Sequence, residues 1–161
     1  MTPAQIDAVQ SSFKKVAAIQ DAAADLFYDR LFTLDPSLKP MFKGNMKEQK
    51  RKLMAAIGTV VTSLKSPEKI IPVVQKLGEA HNGYGVTEQH YQTVGEALLW
   101  TLEKGLGADF TPTVRDGWTA AYGLLSSIMI EAAKQAPLKD EFRQLLAQAY
   151  QKLNTRHENV A

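Results

Sequence analysis

The sequence contains three histidines (His81, His90 and His157) and no cysteine. His81 closes an otherwise apolar stripe. Ile70, Val74, Leu77 and His81 are spaced 4, 3 and 4 apart, so all four share one helix face. An imidazole at the end of such a stripe points inward, where a leucine is expected. Two readings fit: a ligand to an enclosed cofactor, or a core histidine bonded to a carbonyl or placed for the helix dipole. Tyr28 falls among the apolar residues of the run Leu26–Phe32, and a buried phenol needs a partner for its hydroxyl. Gln49 precedes Leu53 by four residues and Ile57 by eight, which sets a polar amide on an apolar face. Taken one at a time, each fits a bland role too: Gln49 at the solvent edge, Tyr28 on a backbone carbonyl.

The elements that must position these groups are helical almost throughout. Thr2-Pro3 reads as an N-cap followed by proline in the first turn, opening a helix with Ile6, Val9, Phe13 and Val16 on one side. Further helices are expected over 22–34 and 46–64, with Lys43, Gly44 and Asn45 as a loop and Pro40 interrupting a short turn. Ser66-Pro67 opens the helix that carries His81, and Gly83 ends it. Thr87 with His90 resembles a capping segment that lacks the usual glutamate. Tyr91, Val94, Leu98 and Leu102 follow, then Gly105 and Gly107 as a stop. Thr111-Pro112 starts a helix bearing Trp118, Tyr122, Leu125 and Met129. Pro137 is expected to break it before a last amphipathic helix with Leu138, Phe142, Leu145, Leu146, Ala149 and Leu153, and a polar tail from Asn154. No alternating strand pattern occurs. The reading is all-α, about seven to eight helices crossing at roughly 50° around a pocket.

Composition narrows the classes. The 161 residues suit one domain, with 45% hydrophobic and 22% charged residues. The absence of cysteine excludes disulfides, thiolate zinc, cysteine-held iron–sulfur clusters and cysteine nucleophiles. A zinc site would have to lean on carboxylates. A net charge of +2 gives no nucleic-acid footprint. There is no basic start followed by an apolar run, and no apolar stretch long enough to cross a bilayer, so cytoplasm is the expected location.

Several segments together resemble the globin family, and within it the single-domain bacterial globins and the haem domains of flavohaemoglobins. Pro36, Phe42, Gln49 and His81 stand in the family's order and spacing. The other carriers are Phe27–Phe32 (FYDRLF), Leu53, the run from Leu77 to His81, His90–Leu99 (HYQTVGEALL), and Trp118 with Ala121-Tyr122-Gly123. The likeness covers 1–136, expected as the globin domain, with 137–161 as a C-terminal extension helix and tail.

The resemblance implies a b-type haem with His81 as the proximal iron ligand. Phe42 would pack on the porphyrin, and Tyr28, Gln49 and Leu53 would line the distal side. Ile57, Val74, Leu77, Val94, Leu98 and Tyr122 would wall the pocket, each with a core reading close behind, and Tyr91 matches the tyrosine the family places near the proximal histidine. Tyr28 and Gln49 both offer donors to a gas ligand with partial negative charge. The implied ligands are dioxygen, nitric oxide and carbon monoxide.

The pattern also departs from the family. No Gly-rich nucleotide fingerprint is present, so a redox cycle would use a separate reductase. Ala80 stands where the flavohaemoglobins typically have lysine, and Ala133 where a carboxylate is expected near the proximal histidine, with Glu131 two positions away. Weaker electron donation from His81 would then favour reversible binding. Three functions compete: a gas-binding globin that can oxidise nitric oxide to nitrate, a non-enzymatic dioxygen carrier, store or sensor, and a haem-free helical interaction module. Monomer and homodimer both fit, the extension helix being wide enough in its apolar stripe to cover the domain or a second copy.

Overall fold

The computed structural model describes residues 1–83 and 85–158. Among them are six α-helices and no strand: α1 (Pro3–Ala18), α2 (Gln20–Leu34), α3 (Met46–Thr62), α4 (Pro67–Gly83), α5 (Glu88–Leu106) and α6 (Pro112–Glu158). Short 3-10 turns cover Pro36–Met41 and Gly107–Asp109. Pro40 sits inside the first of these rather than interrupting it. No helix of the described residues is long and apolar enough to cross a membrane.

Local chemistry explains where the helices start. Thr2 accepts from the Gln5 amide N–H while the Gln5 side chain accepts from Thr2, closing a capping box. Asn45 accepts from the backbone of Lys47 and Glu48 at the head of α3. Thr87 caps α5, and here His90 does the work of the usual glutamate: its Nδ1 accepts from the Thr87 N–H at 3.0 Å. Gly107, at φ 56°, takes the left-handed turn that ends α5.

Packing follows the apolar stripes. The principal pairs are α4 on α6, α2 on α5, and α1 on α6. One core joins Val9, Val16, Val61, Val74, Leu102, Trp118 and Met129. A second gathers Phe27, Tyr28, Leu31, Leu38 and Ala97. Two glycines let helices touch backbone to backbone. A Cβ on Gly78 would lie 2.5 Å from the Met129 carbonyl oxygen, and one on Gly117 would lie 2.9 Å from that of Gln5. The α1–α6 seam is also locked by a buried polar chain. Trp118 Nε1 donates to Ser12 Oγ at 2.8 Å, and Ser12 donates to the Ala8 carbonyl.

One expectation is corrected. Helix α6 runs unbroken through Pro137 and past Asn154 to Glu158. Proline removes one helical hydrogen bond and clashes with the preceding turn, but it marks a helix boundary only statistically. The apolar stripe expected at Leu138, Phe142, Leu145, Leu146, Ala149 and Leu153 lies outside the residues whose side chains are described.

Candidate functional site

The first cluster forms where α2, α3 and the turn at Pro36–Met41 meet. Tyr28 is 3% exposed. Its ring sits edge-on to Phe27 at 5.1 Å and to Phe42 at 5.5 Å, and Phe32 closes the set. This apolar shell would orphan the phenol, but Gln49 reaches over from the first turns of α3. Its Nε2 donates to the Tyr28 hydroxyl oxygen at 3.2 Å. The Tyr28 proton therefore stays available to a further acceptor. Burial pushes the Tyr28 pKa up, and the Gln49 hydrogen bond offsets only part of that rise, so the group stays a neutral donor.

A second cluster lies on α4, α5 and α6. The His81 Nδ1 is 2.6 Å from the Leu77 carbonyl oxygen, one turn earlier in α4. A carbonyl only accepts, so Nδ1 carries a hydrogen. The Tyr91 ring lies beside the imidazole, with centroids 6.4 Å apart. Tyr91 is held from behind: Tyr122 donates its hydroxyl to the Tyr91 carbonyl. The Tyr122 ring occupies the space a side chain at Gly95 would need, since a Cβ there would meet it at 2.7 Å. The Tyr91 hydroxyl is buried and has no hydrogen-bond partner among the described residues. Glu131 is exposed on α6 and does not supply one. Burial raises the pKa of both Tyr91 and Tyr122.

Of the expected walls, Leu53, Val94 and Leu98 pack against the Tyr28 core, and Ile57, Leu77 and Leu98 against the Tyr91 core. Leu53 and Ile57 on α3, Leu77 on α4, and Val94 and Leu98 on α5 are all half-buried apolar side chains. Helices α3 and α4 do not form one of the principal packed pairs. Val74, on α4, is fully buried in the core. Leu53, Ile57 and Leu98 also border an apolar cavity of about 20 Å³ that extends to Phe13, Val16 and Trp118. That volume admits a water-sized particle. The polar lining groups are already engaged, Thr101 with the Ala97 carbonyl and Trp118 with Ser12, so the cavity favours an apolar guest.

Three residues that matter here were not legible as site residues in sequence: Gly78, Gly95 and Ser12. The two glycines carry a weak signal, because glycine inside a helix costs up to about 1 kcal/mol and asks for a packing reason. Ser12 carried none, being an ordinary small polar residue until Trp118 is brought against it.

The fold and these two clusters define a helical protein with a phenol–amide pair joining α2 to α3 and an imidazole on α4 tied to a carbonyl. The chain belongs to the globin family: the family model described as Globin matches residues 25–129. It is 33% identical to a flavohemoprotein of Bordetella parapertussis over 107 residues, 65% of this chain and 27% of that protein. It is 28% identical to a flavohemoprotein of Bacillus subtilis over 132 residues (80% and 33%). A third flavohemoprotein, from Vibrio cholerae, is 29% identical over 136 residues (81% and 34%). The chain thus spans about a quarter to a third of the length of these relatives. A solved structure of an engineered carbene transferase from Rhodothermus marinus, assigned as a nitric oxide dioxygenase, superposes with a TM-score of 0.75 at 22% identity. It covers 89% of this chain and 99% of that one, which bears on the fold.

Globins are haem proteins, and the residues present suit that group. Among the described residues no cluster of three or more His, Asp or Glu is placed to hold a bare metal ion. A single imidazole with its Nδ1 tied to a carbonyl is the donor set suited to an iron whose other ligands come from a macrocycle. The half-buried Leu53, Ile57, Leu77, Val94 and Leu98 are the apolar surface such a macrocycle would cover.

Proposed function

We propose that the chain is a haem b globin that binds dioxygen reversibly, with other diatomic gases as competing ligands. The observation that carries the reading is the buried Tyr28 hydroxyl, accepting from Gln49 inside an apolar shell. Bound haem supplies an iron that takes up the gas. The chain's own residues do the rest. His81 would hold the iron through Nε2, and its Nδ1 bond to the Leu77 carbonyl orients the ring. Phe42, edge-on to Tyr28, would pack on the macrocycle. The Tyr28 hydroxyl donates to the ligand, Gln49 orients that hydroxyl, and Leu53 limits the space above it. Ile57, Val94 and Leu98 keep water out, which strengthens the Tyr28 hydrogen bond. Tyr91 and Tyr122 set the packing beside His81.

The bond from His81 Nδ1 to the Leu77 carbonyl supports binding over peroxide-type chemistry, because an imidazole bonded to a carbonyl donates less electron density than one bonded to a carboxylate. The unit that holds haem is 1–136, with 137–161 as an extension, in a cytoplasmic protein that is a monomer or a homodimer.

A second activity, nitric oxide dioxygenation, is favoured by the same Tyr28–Gln49 pair and by the assignment of the Rhodothermus marinus neighbour. Nitric oxide, dioxygen and one electron give nitrate, and a separate reductase would supply the electron. Rapid mixing of the dioxygen-loaded protein with nitric oxide tests it, and a slow reaction leaves binding alone.

Absorption spectra of the purified protein, ferric and ferrous, with and without dioxygen, test the main reading. A Soret band lost in His81→Ala is expected. No Soret band, or an unchanged one in His81→Ala, overturns it and favours a haem-free module.

A further inference from the structure

A closed circuit of contacts joins the end of α4 to the start of α5. The Val86 N–H donates to the His81 carbonyl at 3.3 Å. The next residue, Thr87, is the cap of α5. Its N–H donates to His90 Nδ1 at 3.0 Å, and its hydroxyl oxygen accepts from the His90 N–H at 3.4 Å. Its carbonyl accepts from the Tyr91 N–H at 3.4 Å, which starts the helical ladder. The buried Tyr91 ring then lies beside the His81 imidazole, where the circuit closes. The cap that starts α5 therefore also sets where Tyr91 stands.

The usual residue at the His90 position of a capping box is glutamate or glutamine, whose oxygen remains an acceptor near neutral pH. An imidazole takes up a proton between about pH 8 and pH 5, after which both ring nitrogens donate. A protonated His90 would turn a donor toward the Thr87 N–H. It would also add positive charge at a helix N-terminus, where the dipole disfavours it. Both effects weaken the cap. The carboxylate of the same turn, Glu88, is held by Lys134 of α6 at 3.2 Å. The Tyr91 and Tyr122 phenols, raised by burial, stay neutral in this range. The other elements on α5 bring their charges further along. Arg30 of α2 stands over Trp100, ten residues on, and Lys15 of α1 pairs with Asp109 beyond the far end of α5.

We propose that His90 is a positioning residue for the haem site: neutral, it caps α5 and keeps the Tyr91 ring against His81, and protonated, it releases both. The inference rests on the haem reading above. Haem retention then falls as pH falls through the imidazole range, because the His90 ring gains its proton only at the expense of the cap.

The test uses the haem-loaded protein, with the Soret band read first. Two signals are followed from about pH 8 to about pH 5. Amide hydrogen exchange over residues 87–91, corrected for its intrinsic pH dependence, reports the first turn of α5. Transfer of haem to a haem-free acceptor protein reports retention. Both rates in the parent should rise about two- to tenfold toward acid, the range expected for loss of a helix cap. His90→Gln keeps an acceptor that does not titrate and should hold both rates at the parent's high-pH level throughout. His90→Ala lacks the acceptor and should show the raised rates at every pH. Other titrating groups, His157 among them, are common to all three proteins and drop out of the comparison.

A response in His90→Gln equal to the parent's overturns the proposal, as does a parent whose exchange at 87–91 is flat. If that exchange rises in acid while haem transfer does not, His90 is a cap alone and the positioning role falls. No Soret band overturns this inference together with the haem reading, whereas the other outcomes overturn it alone.

Discussion

The Gln49 side-chain amide donates to the Tyr28 hydroxyl at 3.2 Å, joining α3 to α2 across 21 positions of sequence. This bond decides the direction of donation at the distal site. With its oxygen accepting from Gln49, the phenol keeps its own proton for another acceptor, and the Phe27 and Phe42 rings against it offer none. Tyr28→Phe removes that donor. Dioxygen dissociation should speed up about tenfold or more, taking ~1.5–3 kcal/mol for a hydrogen bond to a charged acceptor. Gln49→Leu should speed it less, because the phenol remains. Rapid-mixing displacement by carbon monoxide reads both rates, and an unchanged rate in Tyr28→Phe would remove Tyr28 from the ligand's surroundings.

Gly78 stands one turn before His81 and sets how closely α4 approaches α6. Gly78→Ala drives a Cβ into the Met129 backbone, which cannot swing aside as a side chain tip can. Helix α4 must move, at a cost of about 1–3 kcal/mol for overpacking. Denaturant unfolding should show the loss, and haem release should be faster than in the parent protein. A variant of full stability would mean that the helices separate without strain.

The Tyr91 hydroxyl is buried without a partner among the described residues. Removing an unsatisfied buried group costs nothing and can help. Tyr91→Phe should therefore leave stability equal or slightly higher, by up to about 1 kcal/mol. It should also leave the iron–histidine stretching frequency near its parent value, because Leu77 rather than Tyr91 holds the ring. A clear drop in that frequency would show that Tyr91 bonds His81 in the loaded protein.

Alkaline pH should weaken the fold through three phenols. Burial raises the pKa of Tyr28, Tyr91 and Tyr122 in the folded state. Above about 10 the unfolded chain releases its phenol protons while the folded one keeps them. The native state then binds more protons, so unfolding free energy falls as pH rises. Below that range these groups add no slope. Thermal melts from pH 8 upward should therefore stay level in this respect, then drop above about pH 10. Tyr122→Phe should lessen the drop.

The helices were legible because their causes are local. Thr2-Pro3, Asn45, Thr87 and Gly107 each act within one turn of where they stand, and the apolar stripes carry the 3.6-residue period. His90 stands where a glutamate is usual, and its ring nitrogen accepts from the same N–H. Pro137 misled because proline lowers the odds of a helix without forbidding one, and α6 continues through it.

By itself the sequence determined an all-α chain with an imidazole, a phenol and an amide on apolar faces, since periodicity alone decides which side of a helix a residue occupies. It left each of the three with a bland alternative, because a face does not say what it meets. Tertiary structure decided the pairings: Gln49 with Tyr28, His81 with the Leu77 carbonyl beside Tyr91, Tyr122 with the Tyr91 backbone, and Ser12 with Trp118. Apart from the Leu77 bond one turn away, these join separate helices. Their formation depends on how closely the helices approach, and at Gly78 and Gly95 that approach is set by a missing side chain whose effect appears only once a neighbour fills its place.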